Sequence, residues 1–355
     1  MQRRSFIKKL SSWIFAVLFF FGFGGLACRF DDSFADDDGE DQSVDPGRDI
    51  GSPVEVGKSK EPEEEASGSE GAGTMVNNRR MLGKTGFAVS LFSLGGESTL
   101  EQSARADEAE EIINRALDLG VNYIDTAPAY GGGGSESNIG RVLEYRRGDV
   151  FLATKTADRS YEGTMRQIEN SLKRLRTDHL DLYQLHNIRT DNDLNSALAE
   201  DGAIRALEEL KSQGVIHFTG ITGHKDPEVL LRGIKTYSFD CLLMSFNAGD
   251  VHYASFKDKL LPEAVRLEMG IIAMKVTAVS RIFRDEGISS MKQALDYVFS
   301  HPISTAIVGI SHVSEVEENI TIAAEHKTLL GEELARLESL TAAYADEVNF
   351  FKHHW

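Results

Sequence analysis

The chain has 355 residues, 41% hydrophobic and 26% charged, an ordinary make-up for a globular core of two average domains or of one large barrel with extensions. Its net charge of −18 is uneven: about +5 over residues 1–30, about −12 over residues 31–70 and about −11 over the rest, so the folded part is only moderately acidic. No basic stripe is present to displace counterions from phosphates, which makes nucleic acid a poor candidate partner, and no spacing supports a zinc site or an iron–sulfur cluster.

Residues 1–28 read as an export signal. Arg3 and Arg4, followed by Ser5, Phe6, Ile7 and Lys8, resemble a twin-arginine signal and depart from its pattern only at Gln2. Trp13 to Ala27 is an apolar run of about 15 residues, short for a membrane span. It ends in Gly25, Leu26, Ala27 and Cys28, which resembles a bacterial lipoprotein junction with the aliphatic residue one place nearer the cysteine. A lipid on Cys28 would tether the protein to a membrane; an uncleaved anchor or plain cleavage nearby are the alternatives. The expected location is the cell envelope or periplasm. Residues 29–76 are rich in Asp, Glu, Ser, Gly and Pro with few aromatics, cannot bury enough surface to offset ordering entropy, and read as a disordered acidic linker.

Residues 77–355 carry the rhythm of short β-branched strand, polar loop and amphipathic helix. Arg79 to Ser90 predicts a hairpin with a glycine-bearing turn. Strands follow at Ser90–Leu94, Asn122–Asp125, Val150–Lys155, Leu180–Leu185, Ile216–Thr222, Cys241–Ser245, Ile271–Met274 and Ala306–Val308. Helices are predicted at Glu108–Leu119, Glu162–Leu175, Ala203–Gln213 and Met291–Ser300. About eight alternations in ~270 residues predict an α/β fold of the (β/α)8 barrel type, its bottom closed by the N-terminal hairpin. A doubly wound sheet competes less well, since no Gly-x-Gly-x-x-Gly follows an early strand. Cys241 lies in an apolar run and reads as a buried small hydrophobe.

In such a barrel, functional side chains gather at the C-terminal ends of the strands. Asp125 closes the second strand, Tyr130 lies in the loop after it, Lys155 closes the third and His186 follows the fourth. A protonated phenol beside an ammonium can donate to a carbonyl oxygen while the cation stabilises the tyrosinate left behind. Asp125 would hold Lys155 charged, and His186 would hydrogen-bond the substrate oxygen or the phenol. With no strong nucleophile or metal set, the electrons must come from a cofactor. Taken singly, each residue also has an inert reading: a helix cap, a rim plug, a solvated lysine, a structural histidine.

The run from Gly120 through Asp125 to Tyr130, with Ser135, Glu136 and Gly140, then Ala153–Lys155, then Asp181–His186, resembles the aldo-keto reductase superfamily. The resemblance spans about Arg80 to near the C-terminus. It implies Tyr130 as general acid tuned by Lys155 and Asp125, His186 orienting the carbonyl, and hydride from NAD(H) or NADP(H). It also implies an adenosine site at Ser311, Glu318 and Asn319, opening a helix after the eighth strand whose N–H groups face phosphate. Glu315 stands where relatives often carry Arg or Gln near the 2′-phosphate, which favours NAD(H). Lys275 is placed to reach the pyrophosphate. The family's Ser-Asn pair that holds the carboxamide becomes Thr222-Gly223, where Thr222 can still donate. The sixth-strand glutamine becomes Leu243, and the aromatic that stacks on nicotinamide becomes Met274. The four glycines Gly131–Gly134 are expected to keep the substrate mouth open. The loops Thr190–Asp201 and Asn349–Trp355 are expected to build a partly apolar pocket for a small carbonyl or alcohol, in a monomer. The alternative is a non-catalytic nicotinamide-binding or sensing module on the same barrel, favoured by the altered carboxamide site.

Overall fold

The computed structural model describes residues 78–354, so the export-signal, lipidation and linker readings of residues 1–76 lie outside the described residues. Strands β1 (Arg79–Met81) and β2 (Ala88–Ser90) form the antiparallel hairpin, with Arg79 opposite Ser90. Leu82 and Val89 turn inward from it and are fully buried against Tyr123, Phe151, Leu182, Leu243 and Ile272. The hairpin therefore stoppers the end of the barrel where the strands begin. Cys241 lies in this same cluster, buried and free, and burial pushes its thiol up.

Eight parallel strands close the barrel: β3 (Phe92–Ser98), β4 (Tyr123–Asp125), β5 (Phe151–Thr156), β6 (Leu180–Leu185), β7 (Ile216–Gly223), β8 (Cys241–Ser245), β9 (Gly270–Met274) and β10 (Thr305–Ile310), with β10 pairing back onto β3. Buried on both faces, such strands read as near-continuous aliphatic runs, which is why the sequence locates them closely. The first is displaced from expectation. Ser90 ends the hairpin, its N–H given to Asn122 Oδ1 at 2.8 Å, and the barrel strand starts only at Phe92.

The helices bury one stripe each against the strands. Ala106–Asp118 buries Ala109, Ile112, Ile113, Ala116 and Leu117, each large side chain contributing on the order of 1.5–3 kcal/mol before chain entropy is counted. Tyr161–Arg174 begins where the Ser160 hydroxyl accepts the Gly163 N–H at 3.1 Å, and Met291–Phe299 begins on Ser290 in the same way. Pairing then sets the heights of the strand ends. Asp125 lies beside Gly95 and Ala153, Lys155 beside Gln184, and Thr222 beside Leu243.

The C-terminal segment is tied to the loop after β8 by a buried lysine. Lys352 Nζ donates to Asp250 Oδ1 at 2.6 Å and to the carbonyls of Tyr253 at 2.6 Å and Ala254 at 3.1 Å. Asn349 Nδ2 adds a bond to Gly249 O at 2.8 Å. Burial pushes the Lys352 ammonium down and the Asp250 carboxyl up; their mutual attraction opposes both shifts. Removing one member of such a pair strands the other's charge in a dry interior. Lys352→Met is expected to lower unfolding free energy by about 3–5 kcal/mol, read as a shifted urea midpoint at unchanged slope. A change under about 1 kcal/mol would mean that water reaches Asp250.

Candidate active site

Asp125 is the last residue of β4 and Lys155 the fifth of six in β5, so both side chains meet just inside the barrel mouth. Lys155 Nζ donates to the Asp125 carboxylate, to Thr126 O at 2.8 Å and to Tyr130 Oη at 3.3 Å. The other Asp125 oxygen accepts from Gln184 Nε2 at 2.9 Å. Lys155 is 1% exposed and Asp125 not at all, so the pair is sustained by the hydrogen bonds that use the ammonium hydrogens and both carboxylate oxygens.

His186 follows β6 and stands edge-on to the Tyr130 ring, centroids 6.0 Å apart at 88°. Its backbone is pinned from two sides: its N–H donates to Thr156 O at 2.8 Å, and its carbonyl accepts from Arg159 at 2.9 Å. Arg159 also reaches the carbonyl of Asn187, whose φ of 52° bends the chain back across the mouth. The four residues singled out in the sequence therefore converge as expected.

Gly131 has a different role from the one expected. Its φ is 56°, and a Cβ there would fall 2.0 Å from the Glu101 carbonyl, so the turn that presents Tyr130 packs directly on the segment after β3. Glycine is required at this position by the close approach and the left-handed turn.

The electrostatics follow from burial. Loss of water raises the Tyr130 phenol, the nearby Lys155 pulls it back, and the balance is a value pushed up to about 12. Burial works against the Lys155 ammonium, but Asp125 and then Tyr130 outweigh it and raise the group to about 12. His186 is held well below the usual imidazole range by burial first and by the Lys155 charge second. At neutral pH the set is thus a neutral phenol, an ammonium, a carboxylate and a neutral imidazole. It can deliver a proton to an oxygen placed between Tyr130 and His186 and stabilise the phenolate that remains.

A cavity of about 760 Å³ opens over this set, lined by Asp125, Tyr130, Lys155 and His186 together with Thr222, Lys275, Ser311, Glu315, Glu318 and Asn319. All ten residues anticipated from the sequence share it. Residues 91–280 match the aldo/keto reductase family. The chain belongs to that family. The reductase is 28% identical over 309 residues to an uncharacterized oxidoreductase, YqkF, of Bacillus subtilis, covering 74% of this chain and 96% of that protein. It is 29% identical over 294 residues to an L-galactose dehydrogenase of Arabidopsis thaliana, covering 70% of this chain and 89% of that one. The holo form of an aldo-keto reductase from Bacillus halodurans superposes with a TM-score of 0.64 at 26% identity, covering 74% of this chain and 96% of that structure. The reductase is a nicotinamide-dependent oxidoreductase, and its cofactor is NAD(H) or NADP(H).

The cavity fits that cofactor. Asn319 is 1% exposed, lines the cavity and leaves its Nδ2 without a partner within the chain, a donor set out for a bound molecule. Thr222 Oγ1 accepts the Asn187 N–H at 2.7 Å and keeps its own hydrogen to donate. Gly223 has no room for a side chain, since a Cβ would sit 2.8 Å from Ile188 O. His224 lines the cavity instead, its ring edge-on to Phe351 at 5.9 Å and its pKa lowered to about 4, by burial first and Lys275 second. Met274 is 9% exposed and lines the cavity, whereas Leu243 belongs to the core beneath.

Sequence reasoning missed Gln184, Glu97 and Arg159. Gln184 had a signal: it shares strand parity with Leu182, an interior residue, so it had to point into the barrel. Glu97, which accepts from Lys275 Nζ at 3.3 Å, and Arg159, which donates to His186 O, had none, because each meets a partner that is distant in sequence and carried by another strand end. Among the described residues, neither of the two loops expected to build the pocket lines it. Thr190–Asp201 folds into a helix at Asp191–Ala197 over a Thr190–Asp193 capping box, and Phe351 packs behind His224.

The His186 ring is expected to show no protonation between pH 8 and pH 5 in side-chain NMR. A midpoint near the ordinary value of about 6.5 would mean that water solvates the ring.

Proposed function

We propose that the enzyme reduces a small hydrophilic aldehyde or ketone to its alcohol, or runs the reverse oxidation, with Tyr130 as proton donor. The observation that carries this reading is the single ammonium of Lys155 shared between Asp125 and the Tyr130 hydroxyl. When bound, the reduced nicotinamide supplies the hydride that the carbonyl carbon accepts. Tyr130 gives its phenolic proton to the carbonyl oxygen as that bond forms, and Lys155 holds the resulting phenolate until it is reprotonated. His186, neutral and edge-on to the phenol, donates to the same oxygen and fixes its direction. Asp125, oriented by Gln184, keeps Lys155 charged. Asn319, Ser311, Thr222 and Lys275 would hold the cofactor along the cavity.

The hydrophilic substrate class rests on Glu97, Glu101 and His224, polar groups that line the same cavity as Tyr130. A relative named an L-galactose dehydrogenase accords with it. Tyr130→Phe is expected to lower turnover by on the order of 10³-fold or more while cofactor affinity stays within about threefold, measured by stopped-flow and by fluorescence titration. Turnover surviving that change would favour a module that binds nicotinamide for another purpose.

From the leading residues we also infer export through the twin-arginine route and a lipid on Cys28 that tethers the barrel by its acidic linker. Outside the cytoplasm no free nicotinamide pool recharges an enzyme, so the cofactor would remain bound and cycle between paired substrates. Full-length protein is expected in the membrane fraction, and Cys28→Ala in the soluble periplasmic fraction. Identical partition of the two would remove the lipid from this picture.

A further inference from the structure

The cavity has a reactive end, at Tyr130 and Lys155, and a far end where β10 runs into the helix Val313–Glu325. A dinucleotide with its nicotinamide at the first must place its adenosine at the second. A helix start of this kind offers backbone N–H groups and a positive dipole to an anion. Here that place is already taken by the protein. Glu315, in the first turn, folds its side chain back so that its Oε2 accepts the Ser311 N–H at 2.7 Å. Glu318 lines the same end.

Among the described residues, each lysine that lines the cavity faces a carboxylate. Arg105 donates to Ser311 O at 3.3 Å, but its guanidinium is clasped by both oxygens of Glu108, and it does not line the cavity. The lysines that do line it are Lys155, paired with Asp125, and Lys275, paired with Glu97, and both belong to other strand ends. What the far end does offer is the unpartnered amide nitrogen of Asn319, a neutral donor suited to a ribose hydroxyl or an adenine nitrogen.

We propose that Glu315 selects the cofactor: its carboxylate occupies the anion position at the helix start and excludes a 2′-phosphate, so that this reductase uses NAD(H). The inference rests on the carbonyl-reductase reading but concerns a different end of the cavity. A phosphate dianion brought beside Glu315 would meet like charge and find the Ser311 N–H consumed, whereas a bare ribose hydroxyl could donate to the carboxylate.

The test is binding, followed by energy transfer from protein to reduced nicotinamide in residues 77–355 and in the full chain, with NADH and NADPH titrated in parallel. NADH is expected to bind at least about 30-fold more tightly. Adenosine 5′-monophosphate should compete for the site, and adenosine 2′,5′-bisphosphate should compete poorly. Glu315→Gln should narrow the gap, by tightening NADPH and by weakening NADH where the ribose hydroxyl loses its charged acceptor. Equal affinities in the wild-type protein, or tighter NADPH, overturn the proposal without needing the variant to fold. An unchanged ratio in a folded Glu315→Gln protein overturns it as well. If neither nucleotide binds, this inference and the carbonyl-reductase reading fall together; NADPH preference with turnover lost in Tyr130→Phe removes this inference alone.

Discussion

The structure depends on one ion pair placed where ion pairs are costly. Lys155 and Asp125 are both sealed inside the barrel mouth, where the loss of hydration costs several kcal/mol per ion unless geometry and hydrogen bonding recover it. The barrel recovers it from three neighbouring strand ends. Thr126 O and Tyr130 Oη accept the other two ammonium hydrogens, and Gln184 satisfies the second carboxylate oxygen. The same arrangement that makes the pair tolerable makes the phenol useful. A tyrosine without a cation beside it would give up its proton reluctantly in so dry a place. With Lys155 against it, the phenol stays protonated at neutral pH and the phenolate has a waiting partner.

Strain gathers round that pair. Ser98 at the end of β3 has φ 63° and ψ −127°, Asn187 after His186 has φ 52°, and Lys275 after β9 has φ 56°. Each conformation costs of order 1–3 kcal/mol in a residue other than glycine, with asparagine at the low end. A closed sheet can hold such residues because every strand end is fixed by two neighbours. His186 and Lys275 lie at these bends and line one cavity with Glu97, the next-to-last residue of β3. The Lys352–Asp250 pair extends the same logic to the C-terminal segment, which fixes the loop after β8 and brings Phe351 against His224.

Most of the fold was legible because parallel strands buried on both faces announce themselves. Leu180–Leu185 and Cys241–Ser245 fall where their aliphatic runs say, and the helices begin within two residues of their periodic patterns. The first strand was not, since the run from Phe87 to Leu94 is equally apolar through the hairpin and the barrel, and only the Asn122 contact to Ser90 divides it. The glycine run showed a similar limit. Its composition announced a special backbone, but the partner that makes Gly131 necessary, the Glu101 carbonyl, lies 30 positions away and is unreadable before folding. The pocket walls met the same limit: aromatic content at Phe350 and Phe351 gave the chemistry of those residues and not the direction they face.

The sequence by itself determined the barrel, the family and the meeting of Asp125, Tyr130, Lys155 and His186 at one mouth, because short-range spacing along strand ends carries them. It also held the type of charge at Glu315. Only the tertiary structure decided which groups complete the set and what those charges do. Gln184, Arg159 and Glu97 act through contacts across strands, and Glu315 takes its meaning from a carboxylate folded onto Ser311 N–H, a geometry that exists once β10 and its helix are joined in the closed barrel. Periodicity records which face of an element is buried; it does not record which distant group that face will meet.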